Sequence, residues 1–149
     1  LVIIGAPLAT STVYFEELTA RVGELANVEL IGSVDPAVLT SWYGRAKLLL
    51  HTSPIDRGGM TKEGFPNVML EAWASGVPVV SLAHDPDSAI SEFGLGAVVD
   101  SEHVSEHVDG FIQDADNWRK AGARCIGYAQ SRSSSDGAWL SEITAVIES

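Results

Sequence analysis

Glu63-Gly64-Phe65-Pro66-Asn67-Val68-Met69-Leu70-Glu71 runs directly into Ala72-Trp73-Ala74-Ser75-Gly76-Val77-Pro78-Val79-Val80. This stretch reads as turn, helix, stop and strand. Pro66 suits a first helical position, because its missing N–H would be unpaired there anyway. A helix is expected from Pro66 to Ser75, ended by Gly76 and Pro78. Val77–Leu82 is then expected to be a strand. At the helix start the N–H groups of Asn67, Val68 and Met69 are expected to be unpaired and partly positive. Such a start is a ready anion site. Two carboxylates, Glu63 and Glu71, stand eight positions apart on either side of it. The arrangement suits a ligand with a phosphate in the middle and hydroxyl-rich groups at both ends.

Outward from this stretch, short apolar runs alternate with helical ones, the signature of a parallel α/β sheet. Strands are expected at Leu1–Gly5, Val28–Gly32, Leu48–Thr52 and Ala97–Asp100. Helices are expected at Thr12–Leu25, with Phe15, Leu18, Val22 and Leu25 on one face, and at Pro36–Arg45 behind an Asp35 cap. Further helices are expected at Ser88–Phe93, Ser105–Asp114 and Asn117–Gln130. Ser131–Gly137 reads as a polar linker before a last helix ending near Glu148. The loop from Ser53 to Lys62 contains Pro54, Gly58 and Gly59. In such a sheet ligands bind at the carboxyl ends of the strands. The loops Gly5–Ser11, Gly32–Pro36, Thr52–Pro66 and Ala83–Ser88 all fall on that edge, as does the two-carboxylate motif.

The bulk properties narrow the partners. A chain of 149 residues, 46% of them apolar, suits a single globular domain with a real core. A net charge of -11 argues against nucleic acid and against an anionic membrane surface. Only Lys47, Lys62 and Lys120 are lysines. The apolar runs are far too short to cross a bilayer, and no secretory signal stands at the amino end. Cys125 is the single cysteine, which fits a reducing compartment and no disulfide framework. The sequence opens without Met inside an apolar run, and is expected to be a fragment of a longer protein.

In these residues the chain resembles the C-terminal domain of GT-B fold glycosyltransferases, the retaining family 4 group. The resemblance runs through Asn27-Val28-Glu29-Leu30-Ile31-Gly32-Ser33-Val34, Trp42-Tyr43-Gly44-Arg45-Ala46 and His51-Thr52-Ser53. It continues through Glu63–Asn67, Glu71–Val80, Gly94-Leu95-Gly96 and Asp116-Asn117-Trp118-Arg119. It implies a doubly wound parallel sheet, the Rossmann-like C-terminal half of the GT-B fold, whose usual first strand precedes Leu1. The Arg and Lys that bracket the diphosphate in the family would also lie outside this chain. Trp73 stands where Met is more usual, and the Asp56–Lys62 loop is longer and richer in glycine than the common pattern. Lys62 is not the family's lysine and reads as a solvated loop charge.

The resemblance implies an enzyme half that binds a nucleotide-diphosphate sugar, with acceptor binding in an N-terminal domain; the expected place is the cytoplasm, or the inner face of the membrane through that other domain. It implies no cofactor and no bound metal. Glu63 would hydrogen-bond the donor hexose, the catalytic role. Glu71 would hold the ribose diol. The backbone of Gly64, Phe65, Pro66, Asn67, Val68 and Met69 would contact the sugar and diphosphate. Ser33 and Val34 would lie near the base, and Ser53 is either turn chemistry or a phosphate-side hydroxyl. The physics agrees: an ionised carboxylate accepts from two vicinal hydroxyls, at about 1.5–3 kcal/mol per charge-assisted bond. The helix start would stabilise the departing diphosphate without reorganisation. Alternatives are a non-catalytic nucleotide-binding α/β module and a sugar-nucleotide epimerase of GT-B architecture.

Other groups have structural readings. Asp85-Pro86-Asp87 is turn and cap chemistry rather than a metal-binding Asp-x-Asp. His103 and His107 have ligand spacing without a third ligand. His51 is a polar residue at the sheet edge, with donor contact as the alternative. Cys125 and Trp42, Trp73, Trp118 and Trp139 are expected to pack.

Overall fold

The computed structural model describes residues 1–7, 11–53 and 64–135. The last helix expected near Glu148, and Trp139 with it, lies outside the described residues. The chain divides into two compact units, Leu1–Leu39 and Thr40–Ser149.

In the first unit, strand β1 (Val2–Ile4) pairs in parallel with β2 (Glu29–Ile31), in the register Val2↔Glu29 to Ile4↔Ile31. Helix α1 (Thr12–Gly23) connects them, as a parallel pair requires. It stops two residues before the expected Leu25. The N–H groups of Glu24 and Leu25 turn back to the carbonyls of Arg21 and Val22, which tightens the last turn. Helix α2 (Pro36–Tyr43) starts where expected. The Asp35 carboxylate accepts from the Ala37 N–H at 2.8 Å and caps it.

The second unit is built on β3 (Leu49–His51), β4 (Val79–Leu82) and β5 (Gly96–Val99), all parallel, with β4 in the middle. The expected parallel α/β class is the observed one. Between β3 and β4 stands α3 (Asn67–Ala74). After β4 come a 3-10 turn at Pro86–Ser88, α4 (Ala89–Phe93), α5 (Val104–Gln113) and α6 (Ala115–Ser135). Alternation along β4 sorts the core. Val79 packs with Met69, Ala72, Trp73, Leu95 and Cys125. Its neighbour Val80 packs on the other face with Val99, Phe111 and Ala121. Both faces of this sheet are therefore covered by helices, which explains why the strands read as continuous apolar runs.

Two expectations change here. Pro66 is the N-cap residue of α3, with extended backbone (φ −69°, ψ 122°), rather than its first helical residue. The polar run 131–135 is helical and extends α6 rather than forming a linker. Local bonds and aromatic contacts hold that last turn. Ser131 Oγ donates to the Tyr128 carbonyl at 2.8 Å, and the Arg132 guanidinium donates to the Tyr128 hydroxyl at 3.0 Å. The same guanidinium stands 4.6 Å from the centre of the Phe65 ring, a cation–π contact. The remaining boundaries agree within about two residues, the ordinary scatter at element ends.

Cys125 is fully buried between α6 and the sheet, and burial pushes its thiol up to about 12. Native protein at pH 8 should therefore resist a thiol reagent on the time scale of minutes. Denatured protein should react at once. Rapid native labelling would show that the helix opens far more readily than its packing implies.

Candidate functional site

Four features of the second unit stand together at α3: its amino end, the Gly64-Phe65-Pro66 turn before it, Glu71 and the Tyr43 bonded to Glu71. Among the described residues, the N–H groups of Asn67 and Val68 have no hydrogen-bond acceptor. Both residues are exposed. Met69 departs from expectation. Its N–H donates to the Pro66 carbonyl at 3.1 Å, and its side chain is fully buried in the core. Two free N–H groups, not three, are thus offered at the helix start. They still carry the positive end of the helix dipole.

Phe65 turns inward. Its ring meets Trp73 edge-on at 5.8 Å, and Trp73 meets Tyr128 edge-on at 5.3 Å. Such edge-to-face pairs add to simple burial. The side chain is an anchor that holds the turn to α3 and α6, leaving backbone for any ligand.

Glu71 lies one turn beyond Asn67 on the same helical face, half-buried. Its Oε2 accepts a hydrogen bond from the Tyr43 hydroxyl at 2.9 Å. Burial, and then the Glu71 carboxylate, push the ionisation of that phenol above its ordinary range, so it stays a donor. Nothing in the spacing pointed to this pair. The sequence signal that could have found it is Tyr43 at the very end of the Pro36–Tyr43 helix, a phenol able to donate.

His51 ends β3 and is buried, with a ring nitrogen 3.3 Å from the Ser81 hydroxyl on β4. That contact agrees with its reading as a polar residue at the sheet edge. His84, just past β4, was not singled out from sequence. Its ring lies 5.6 Å from that of His51, and its Nε2 is buried with no hydrogen-bond partner among the described residues. Ser53 follows β3, half-buried. Glu63 and Lys62 lie outside the described residues. Ser33 is exposed and Val34 half-buried after β2. Both belong to the first unit, and the geometry above is that of the second unit alone.

The groups given structural readings have partners of their own. The Asp85 carboxylate accepts from the N–H groups of Ile90 and Ser91 and from the Ser91 hydroxyl, at 2.7, 3.2 and 2.6 Å. It is spent on capping α4. His103 is bonded to Asp100 at 2.6 Å, and His107 to the His103 carbonyl at 3.2 Å. The His103 bond holds the Asp100 carboxyl below its ordinary value. Among the described residues no group of three or more candidate ligands could hold a metal ion. Nor, among them, is any helix long and apolar enough to cross a membrane. Trp42 carries the Arg45 guanidinium 4.0 Å from its ring centre, and Trp118 donates to the Lys47 carbonyl. One open depression of about 350 Å³ adjoins Gly94, Gly96 and Arg124. It lies at the amino end of β5, the edge opposite to where sheets of this class bind ligands.

A parallel α/β unit with a free helix start and a held carboxylate at the carboxyl edge of its sheet has the layout of a nucleotide-binding half-domain. The family described as Glycosyl transferases group 1 matches residues 1–117, and the chain belongs to that family. No curated protein matches the chain. Among solved structures it is similar to Anabaena Alr3699/HepE in complex with UDP-glucose, with 20% identity and a TM-score of 0.69. That match covers 88% of this chain and 36% of HepE. The HepE complex with UDP gives 19% identity, a TM-score of 0.73, and coverage of 97% and 40%. AviGT4, a glycosyltransferase involved in avilamycin A biosynthesis, gives 26% identity, a TM-score of 0.59, and coverage of 89% and 40%. The chain thus spans 36–40% of the length of these structures. Their fold is the GT-B type with Rossmann-like domains, and the expected fold class holds.

Proposed function

We propose that this chain is the donor-binding domain of a retaining glycosyltransferase, which moves a hexose from a nucleotide-diphosphate sugar to an acceptor hydroxyl. The observation that carries the reading is Glu71, held by Tyr43 one turn behind two unpaired N–H groups. Family membership and the UDP and UDP-glucose complexes of HepE support it. In this reading the Glu71 carboxylate accepts from the ribose diol. The N–H groups of Asn67 and Val68, with the backbone of Gly64, Phe65 and Pro66, face the diphosphate and sugar. Met69 contributes core packing instead of a contact. Glu63 binds the donor hexose and is the catalytic residue, Ser53 faces the phosphates, and Ser33 and Val34 face the base.

The chemistry asked of this half is electrostatic. As the bond from sugar to diphosphate breaks, negative charge grows on the leaving group. A preorganised helix start stabilises that charge at the moment it forms. No cofactor and no metal are required in this scheme. A separate N-terminal domain supplies the acceptor, so the chain alone binds donor without transferring sugar. We place it in the cytoplasm, in keeping with its lone, buried thiol.

The test is calorimetry of this chain with UDP, GDP and ADP and their sugar conjugates. One nucleotide should bind saturably. Glu71→Ala should weaken it about ten-fold or more, roughly 1.4 kcal/mol. Unchanged affinity would reduce Glu71 to a surface charge and favour a plain nucleotide-binding module. Sugar transfer by this chain alone would overturn the division of labour.

A further inference from the structure

Tyr43 is the last residue of α2 and lies 28 positions before Glu71. Its ring packs against the core cluster that contains Trp73 and Val79. The hydroxyl is thus delivered by a fixed ring, not by a flexible stem. A carboxylate offers about four lone-pair sites. Among the described residues the Tyr43 hydroxyl occupies one on Oε2, and no other group takes Oε1 or the second site of Oε2. That remainder is enough for the two hydroxyls of a vicinal diol. A glutamate side chain turns about three torsions when free, and binding must then immobilise it. Here one oxygen is already tethered to the core while the other stays available.

We propose that Tyr43 is a positioning residue for ribose recognition, its hydroxyl holding the Glu71 carboxylate in the orientation that accepts the 2′ and 3′ hydroxyls of the donor nucleotide. The inference rests on the reading of Glu71 as the ribose contact. Tyr43 touches no ligand in this arrangement and acts through Glu71 alone. Removing its hydroxyl should therefore weaken only ligands that carry the diol. Ring packing, and with it the fold, should be untouched. The ionisation of the phenol stays above its ordinary range, so the donor persists across the neutral pH range.

The experiment compares UDP with 2′,3′-dideoxy-UDP on the wild-type chain, Tyr43→Phe, Glu71→Ala and the double variant. Tyr43→Phe should weaken UDP about three- to ten-fold, as expected for freeing one side chain. It should leave dideoxy-UDP unchanged, and should add nothing in the Glu71→Ala background. Equal losses for both nucleotides would make Tyr43 merely structural and overturn the proposal. So would no loss, or tighter UDP binding, which would mean that Tyr43 competes with ribose for the carboxylate. Glu71→Ala separates the two failures. If it weakens UDP selectively while Tyr43→Phe is silent, the positioning role fails alone. If it fails to discriminate the nucleotides, or if the wild-type chain binds none of UDP, GDP and ADP, the ribose reading falls and the Tyr43 role with it.

Discussion

Gly96→Ala should unfold the second unit or destabilise it by about 3 kcal/mol or more. Gly96 opens β5 with φ +150°, backbone that side chains rarely adopt. A Cβ built there would lie 1.8 Å from the Val79 carbonyl oxygen and 2.7 Å from the Val79 nitrogen. Both are backbone atoms of the buried central strand, so no rotamer change can relieve the overlap. The register pairs Val79 with Gly96, and the Val79 N–H donates to the Leu95 carbonyl at 3.0 Å. Any retreat of β5 therefore breaks the ladder that holds it. Urea denaturation followed by far-UV circular dichroism would measure the effect. An unfolding free energy within about 0.5 kcal/mol of wild type, the scatter of neutral surface changes, would show that the close approach does not exist in solution.

Trp73→Ala should cost about 3–5 kcal/mol, as large-to-small changes of buried aromatics do. Trp73 leads the fully buried side chains in size and is 0% exposed. It also touches Phe65 and Tyr128 edge-on, so its loss empties the core and frees the anchor of the Gly64-Phe65-Pro66 turn. Stability and nucleotide binding should fall together. Trp73→Phe is expected to be far milder. Its ring refills much of the space, and it removes the indole Nε1, which is buried with no hydrogen-bond partner among the described residues. An unmet buried donor costs about 1–3 kcal/mol, which offsets part of the lost volume. If Trp73→Phe proved as damaging as Trp73→Ala, the indole N–H would have to be paired in solution.

The two substitutions mark where sequence reading reached and where it stopped. Trp73 was legible as a packing residue because it lies on a helix with apolar neighbours at helical spacing. Gly96 was legible as part of the Gly94-Leu95-Gly96 stretch of the resemblance, with no reason given for a glycine there. Its requirement comes from the Val79 backbone, seventeen positions earlier, and strand pairing is not written in local spacing. The helix after Pro66 was legible through its stop at Gly76 and Pro78. Which of its first N–H groups stay free was not, because Pro66 took the cap and its carbonyl captured the Met69 N–H. The run 131–135 misled for a similar reason. Serines and an arginine read as a linker by composition, yet bonds to Tyr128 and the Phe65 ring make them a helix end.

By itself the sequence determined the parallel α/β class, the order of strands and helices, and the segment from Gly64 to Glu71 as the place to look. Those features are local: periodicity, caps and stops act over a few residues, and the chain spells them out in order. Only the tertiary structure decided that Glu71 is held by Tyr43, that Phe65 faces inward, and that Gly96 admits no side chain. Each depends on groups far apart in sequence whose meeting is set by packing and strand register.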